Sequence, residues 1–183
     1  MKRLTATLCL TIAVLLGSVG MSWGADYQKG FAAYKSGDYA TALREWKPLA
    51  EQGNADAAHL IGQIYRNGKG VPRDQKIAYK WFRLSAEEGN AIGAMYLAEQ
   101  YLGKGGVEEN FVSGYVWALI SLDSATKVVE SKKNVLFLKL YQSIIDKHFP
   151  FVNKGIKEEL TPAQIAEAQI VARECIRKKY KGC

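Results

Sequence analysis

Residues 50–55 read AEQGNA, and residues 86–91 read AEEGNA, an offset of 36 residues. The same offset relates Tyr65 to Tyr101 and Trp81 to Trp117. A period of about 36 residues is typical of helical solenoids, in which each unit is one helix-turn-helix that buries its apolar face against its neighbours. The sequence therefore predicts an all-α fold, an α/α solenoid of 36-residue repeats.

Residues that favour helix starts follow the same period. Their side chains accept hydrogen bonds from the free amides of the first helical turn. They form two series, Asp38, Asp74 and Asn110, and Asn54, Asn90 and Thr126. Gly53 and Gly89 precede two of these caps, where a helix has to stop and glycine tolerates a left-handed backbone. Each unit is predicted to be a helix, a tight Gly-Asn turn, a second helix and a glycine-rich loop.

Beyond residue 125 the repeat decays. We expect a long helix over residues 127–149, a loop over 150–157, and a last helix to about residue 179. A capping box at Thr161 and Gln164, with Pro162 at the first helical position, opens that last helix. The predicted division is a signal peptide at 1–24, repeats at 25–125, and a diverged repeat with C-terminal capping helices at 126–183.

The N-terminus has the three parts of a secretory signal: Lys2 and Arg3, an apolar run over residues 8–16, and small residues up to Gly24. The glycines and serines of its second half favour cleavage over a retained membrane anchor, so we expect no stable span after cleavage. The predicted location is the periplasm or the medium. Loss of Lys2 and Arg3 lowers the formal net charge from +7 to +5. In an exported protein this mild excess does not predict a nucleic-acid partner.

Residues for catalysis are scarce. His59 and His148 are the only histidines, and no spacing typical of a zinc site or of a phosphate-binding loop occurs. We expect no metal, no cofactor and no enzyme. One alternative stays open, because Ser124 and Lys127 match the Ser-x-x-Lys motif of penicillin-recognising enzymes. On that alternative the protein is a small envelope enzyme, or a binder of cell-wall material or β-lactams.

Two cysteines remain after signal cleavage, Cys175 and Cys183. They can form one intramolecular disulfide if the helix that contains Cys175 ends and the chain turns back. Two free thiols and an intermolecular bond are the alternatives.

The repeats resemble a known family. Residues 37–72, GDYATALREWKPLAEQGNADAAHLIGQIYRNGKGVP, their copy one period later and the tail LTPAQIAEAQIVARE at 160–174 are similar to SEL-one-like repeat (SLR) proteins, a subclass of tetratricopeptide-like solenoids. The resemblance covers about residues 26–175. It implies a right-handed superhelix used for protein-protein contact. Some cysteine-rich members carry cysteine pairs with the spacing of Cys175 and Cys183.

The concave face of such a solenoid is lined by the first helix of each pair, and its exposed residues are the predicted binding strip. In the two clearest repeats the strip consists of Asp56, His59, Gln63, Ile92, Met95 and Glu99. The predicted function is an exported adaptor or scaffold that binds another protein there. The sequence does not identify that partner or the oligomeric state.

Overall fold

The computed structural model describes residues 25–104, 108–131 and 142–183. Within these ranges the fold is all-α, and no strand occurs in them. The helices are α1 (Tyr27–Ser36), α2 (Tyr39–Glu51), α3 (Ala55–Asn67), α4 (Gln75–Glu87), α5 (Ala91–Glu99), α6 (Phe111–Ser131), α7 (Phe149–Glu159) and α8 (Pro162–Arg177). One π-helical turn, Ile144–His148, precedes α7. After α5 the chain bends within Gln100–Lys104, where the backbone of Leu102 and Gly103 is not helical.

The 36-residue period is visible in individual hydrogen bonds. The Ser85 hydroxyl donates to the Ala55 carbonyl oxygen at 2.7 Å, and one period later Ser121 donates to Ala91 at 2.8 Å. The first bond joins α4 to α3, and the second joins α6 to α5 in the same way. The predicted helix-turn-helix repeat is therefore confirmed by equivalent contacts and not only by similar helices.

The predicted helix starts are confirmed at five of six positions. Each capping side chain accepts a hydrogen bond from an amide in the first turn of its helix. These caps are Asp38, Asn54, Asp74, Asn90 and Asn110. Gly53 and Gly89 precede two of them with φ of 92° and 83°, the left-handed conformation that glycine adopts without strain.

The sixth predicted start, Thr126, is wrong. Helix α6 continues through it to Ser131, and the Thr126 hydroxyl donates to the Leu122 carbonyl oxygen at 2.8 Å within the helix. The physical reason is Ala125, which stands where the earlier turns have Gly53 and Gly89. A left-handed conformation costs alanine about 1–2 kcal/mol, so the chain stays helical. The predicted boundary between residues 125 and 126 consequently falls inside α6.

The C-terminal part differs from the prediction in a second place. Residues 132–141, in the middle of the long helix expected over 127–149, lie outside the described residues. The expected loop at 150–157 is instead helix α7. Pro150 lies directly after the π-helical turn, within a helical stretch that runs without a break over residues 142–159. The capping box of Thr161 and Gln164 is confirmed at the start of α8.

Aromatic side chains fill much of the core. Trp46 and Phe82 are fully buried and Trp117 is 3% exposed, whereas Trp81 is only partly buried. Phe82 lies so close to α3 that a Cβ atom added to Gly62 would be 2.6 Å from its ring. The absence of a side chain at Gly62 therefore allows α3 and α4 to pack closely.

A disulfide joins Cys175 in α8 to Cys183, and their Cα atoms are 5.8 Å apart. The chain turns back after α8 with positive φ at Lys179, Tyr180 and Gly182. We call residues 178–183 the C-terminal loop. Its Tyr180 hydroxyl donates to Asp123 Oδ2 of α6 at 3.2 Å, and Lys181 forms an ion pair with Glu88 next to the turn between α4 and α5. The loop thus holds α8 against the repeats.

Candidate protein-binding surface

The predicted strip lies on two neighbouring helices. Asp56, His59 and Gln63 belong to α3, and Ile92, Met95 and Glu99 belong to α5. All of them except Asp56 line one cavity of about 370 Å³. Its remaining lining residues are Arg66, Tyr96, Ser143 and Ile144. We call this space the α3–α5 cavity.

Polar side chains connect α3 to α5 around the cavity. The Asn90 amide donates to Asp56 Oδ1 at 2.7 Å, and the Gln63 amide donates to the Tyr96 hydroxyl at 3.4 Å. The guanidinium of Arg66 donates to Glu99 Oε2 at 2.9 Å. These pairs each link one repeat to the next, so Asp56, Gln63 and Glu99 have a structural role in addition to any role in binding.

The expectation that the whole strip is exposed is wrong for three of its members. His59 is 8% exposed, Ile92 5% and Met95 9%. The reason is Ile144, itself 2% exposed, which forms an apolar cluster with Ile92, Met95 and residues of α5 and α6. The segment before α7 covers part of the strip and turns a predicted open surface into a cavity.

Burial controls the chemistry of His59. Desolvation lowers the pKa of its imidazole to about 4, so the ring is neutral at pH 7. A neutral imidazole has one N–H donor and one acceptor nitrogen. Its Nδ1 atom is buried and has no hydrogen-bond partner within the described part of the chain. This nitrogen has almost no accessible surface, so it is shielded from the cavity as well as from solvent.

Charges at the edge of the cavity are compensated. The Arg66 guanidinium lies 4.6 Å from the ring centre of Tyr96 while it pairs with Glu99. Burial raises the pKa of Tyr96, and the positive charge of Arg66 opposes that shift. Burial also raises the pKa of the Asp56 carboxyl, against the hydrogen bond from Asn90. The edge is polar and ordered, whereas Ile92, Met95 and Ile144 make the interior apolar.

The structure does not bring Ser124 and Lys127 together. Ser124 is 3% exposed, and its hydroxyl has no hydrogen-bond partner in the described ranges. The Lys127 ammonium instead pairs with Asp123 Oδ2 at 2.6 Å and faces the ring of Tyr180. A serine nucleophile has to be accessible and to share a proton with its base. Ser124 and Lys127 therefore do not form the catalytic pair that the Ser-x-x-Lys motif predicts.

The other candidates for chemistry are separated. His59 lies in α3 and His148 in the π-helical turn before α7. Over residues 25–104, 108–131 and 142–183, no three side chains of His, Cys, Asp or Glu are grouped as metal ligands would be. No helix in the same ranges is long and apolar enough to cross a membrane.

Four residues of the cavity were missed by the sequence prediction. Arg66 lies one helical turn beyond Gln63, and Tyr96 lies one turn after Ile92 and next to Met95, so a longer strip on α3 and a wider strip on α5 include them. Ser143 and Ile144 follow a stretch without clear repeat register. No local pattern places them against α5, because that contact depends on the path of the chain after α6.

The comparisons agree with this architecture. The family model described as Sel1 repeat matches residues 55–90. A crystal structure of a Sel1 repeat protein from Oxalobacter formigenes is 26% identical with a TM-score of 0.51, over 57% of this chain and 45% of that one. No curated protein sequence matches the chain.

A second solved structure shows the same fold over more of the chain. It is c5321, described as a protective antigen present in uropathogenic Escherichia coli strains displaying an SLR fold. It is 19% identical with a TM-score of 0.64, over 82% of this chain and 30% of that one. This chain thus spans less than half the length of either solved protein.

Together the helices, their 36-residue period and these matches define an α-helical solenoid with the SLR fold. The chain contains a Sel1 repeat at residues 55–90 and is similar to Sel1 repeat proteins. Proteins of this family generally mediate contacts between proteins, and their fold is typically an interaction module and not an enzyme scaffold.

Proposed function

We propose that this chain is an exported protein-binding module that binds a protein partner at the surface formed by α3 and α5. The observation that carries the proposal is the α3–α5 cavity, with its apolar interior, its paired polar edge and a buried imidazole that lacks a hydrogen-bond partner. Apolar pockets with a few placed polar groups are the usual form of binding sites.

The polar pairs around the cavity support this role because they reduce the cost of binding. Asp56, Gln63 and Arg66 are already held by Asn90, Tyr96 and Glu99. Side chains that are ordered before association lose less conformational entropy when the partner arrives. Such an edge gives orientation and specificity, and the apolar interior gives affinity.

Export is supported by two features. Residues 1–24 have the composition of a cleavable signal. Cys175 and Cys183 form a disulfide, and disulfides persist mainly in oxidising compartments such as the periplasm or the medium. N-terminal sequencing of protein recovered from these fractions tests the export step. Recovery of the chain only in the cytoplasm, with Met1 retained, would overturn it.

Photo-crosslinking in the native cell tests the binding surface. One variant carries a photoreactive amino acid at Gln63, at the edge of the cavity, and its matched control carries the group at Lys80, which is exposed on α4. We expect a discrete adduct with one protein from position 63 and none from position 80. Equal adducts from both positions, or adducts from neither, contradict the proposal.

A further inference from the structure

We infer that the C-terminal loop is a redox-controlled cover over a second binding surface. While the disulfide between Cys175 and Cys183 is closed, the loop occupies a site on the repeats. When the disulfide is reduced, the loop leaves that site, which then accepts a tyrosine-lysine segment of another protein. The site shares no residue with the lining of the α3–α5 cavity, so the inference does not rest on the proposed function.

The loop places one tyrosine against the repeats. The Tyr180 ring lies so close to the turn between α4 and α5 that a Cβ atom added to Gly89 would be 2.9 Å from it. The Tyr180 hydroxyl donates to Asp123 Oδ2 at 3.2 Å, and the Lys127 ammonium lies 5.9 Å from the ring centre. The next residue of the loop pairs with Glu88. We call Glu88, Gly89, Asp123 and Lys127 the Tyr180 site.

The backbone of the loop is strained where it enters this site. Lys179 and Tyr180 have φ of 53° and 69°, in the left-handed region that residues with a Cβ atom rarely adopt. The left-handed residues that end α1 and α3 are Gly37 and Gly68, which adopt this conformation freely. Two successive non-glycine residues in this region persist only where other interactions hold them. The closed loop therefore needs a restraint.

The contacts of the loop provide only part of that restraint. The side chains of Lys181 and Glu88 are 58% and 29% exposed, and ion pairs with such exposure contribute little to stability. The hydrogen bond and the cation-π contact of Tyr180 each add a modest contribution. The disulfide supplies the remainder, because it closes the loop covalently and removes open conformations.

A dithiol reductant can open the disulfide through Cys183. Cys183 is partly exposed, whereas Cys175 is 6% exposed. One thiolate of the reductant attacks the Cys183 sulfur and releases the Cys175 thiolate, and the second thiol then attacks the mixed disulfide and releases Cys183. The two electrons and two protons of the dithiol pass to the cysteines, and the reductant becomes a disulfide. Three exposed cations between the cysteines favour thiolates, namely Arg177, Lys178 and Lys179.

The loop itself shows the chemistry of the segment that replaces it. Tyr180 is an aromatic ring with a hydroxyl donor, and Lys181 follows it directly. A partner segment with tyrosine followed by lysine can make the same contacts to the Tyr180 site. The closed loop excludes such a segment, because a tethered group has a high effective concentration at its site. Reduction leaves the loop attached at one end and free to relax its backbone.

Hydrogen exchange tests the opening of the loop. In the closed loop the Tyr180 amide donates to the Cys175 carbonyl oxygen at 2.8 Å. After complete reduction by dithiothreitol, verified by mass, we expect this amide to exchange about tenfold faster or more. The Ala94 amide of α5, which donates to the Asn90 carbonyl oxygen, should keep its rate and show that the repeats stay folded. An unchanged rate at Tyr180 overturns the inference.

Lys179→Gly is the matched variant, because it relieves the strain and leaves the contacts of the Tyr180 site in place. We expect its Tyr180 amide to stay protected after reduction, since glycine adopts the left-handed conformation freely. Equally fast exchange in the reduced variant and the reduced wild type would refute backbone strain as the reason why the loop opens.

A peptide tests the replacement of the loop. Acetyl-Lys-Tyr-Lys-Gly-amide, the sequence of residues 179–182, is titrated into the protein, and NMR follows the Gly89 amide. We expect binding to the reduced wild type, none to the oxidised form, and tighter binding to reduced Tyr180→Ala, whose own loop no longer competes. A peptide with phenylalanine in place of tyrosine should bind about three- to tenfold more weakly, the value of one net hydrogen bond.

Equal binding of the peptide to the oxidised and reduced proteins would refute the cover. No binding to reduced Tyr180→Ala, in a protein whose loop opens by hydrogen exchange, would refute the tyrosine-lysine partner. The crosslink expected from position 63 depends on neither result, so the proposed function is tested separately.

Discussion

The turns at Gly53-Asn54 and Gly89-Asn90 and the helical segment at Ala125-Thr126 occupy the same place in three successive periods. At the first two, φ is positive at the glycine and the asparagine side chain caps the next helix. At the third, the helix continues. The comparison teaches that a residue able to adopt a left-handed conformation is necessary to divide a repeat into two helices, and that alanine at this place is compatible only with one long helix.

Because α6 is uninterrupted, the C-terminal half packs differently from the regular repeats. It carries Asp123 to the C-terminal loop and places Ala125 in the apolar cluster with Ile144. A turn at residue 125 would redirect the helix and separate these two contacts. The repeats are thus closed by packing onto a long helix and not by another copy of the unit.

The largest expected effect concerns the packing between helices in the regular half. Phe82→Ala removes a fully buried ring that lies against Gly62, and we expect the free energy of unfolding to fall by about 3–5 kcal/mol. Trp81→Ala is the matched control, because Trp81 is only partly buried and should cost less. Urea denaturation measures both. A larger loss for Trp81→Ala would show that the core is assigned to the wrong side of α4.

The second-largest expected effect is a pH dependence of the free energy of unfolding, caused by His59 of α3. The pKa of His59 is about 4 in the folded protein and about 6.5 in an unfolded chain, so the unfolded state takes up the proton first as the pH falls. The contribution of neutral His59 to the free energy of unfolding is therefore fully present above pH 6.5 and is lost as the pH falls to 4. It amounts to about 3 kcal/mol.

His59→Leu isolates this pH effect from other groups. Asp56 has a raised pKa and acts in the opposite sense, so the comparison has to be made between the wild type and this variant. Urea denaturation at pH 7, 5.5 and 4.5 should show a steeper loss of stability for the wild type. Parallel curves for the two proteins would mean that His59 is solvated.

The third expected effect is a difference in the stability lost when glycine is replaced in each of the two turns. Gly53→Ala and Gly89→Ala each force alanine into a left-handed conformation, at about 1–2 kcal/mol. A Cβ at Gly89 would also lie 2.9 Å from the ring of Tyr180, whereas at Gly53 the nearest atom is 3.7 Å away. Gly89→Ala should therefore cost more. In a Tyr180→Ala background the two costs, measured by thermal denaturation, should become equal.

The smallest expected effect lies in α6. Ala125→Gly should lower the free energy of unfolding by about 0.5–1 kcal/mol, because glycine weakens a helix interior. Adding Thr126→Asn restores the Gly-Asn sequence of the earlier turns. We expect no gain from it, since Ala125 is fully buried and the surrounding contacts require the helix. A rise in stability of the double variant, with loss of helical circular dichroism, would show that these two substitutions are enough to form the turn.

Much of the regular half could be predicted because its signals are local. Asp38, Asn54, Asp74 and Asn90 each cap the helix that follows them in sequence. The same reasoning fails at Thr126 because a cap requires a preceding turn, and Ala125 does not provide one. A rule that asks for glycine and asparagine together predicts all three positions correctly.

The cavity could be predicted only in part. Five of its lining residues follow from helical spacing on α3 and α5. The burial of Ile92 and Met95 depends on Ile144, which is 52 residues beyond Ile92 in the chain and reaches it through tertiary packing. Periodicity identifies the residues that share one face of a helix. It does not identify the residues from distant parts of the chain that pack against that face.

The ion pair between Lys181 and Glu88 joins residues that are 93 positions apart. Solenoids can usually be lengthened or shortened by whole units, because each unit contacts only its neighbours. Here a unit inserted between α5 and α6 would carry Glu88 away from the C-terminal loop, and removal of one would leave Lys181 without its partner. The contact therefore depends on the present spacing between α4 and the C-terminal loop, although the repeats themselves are built as a modular array.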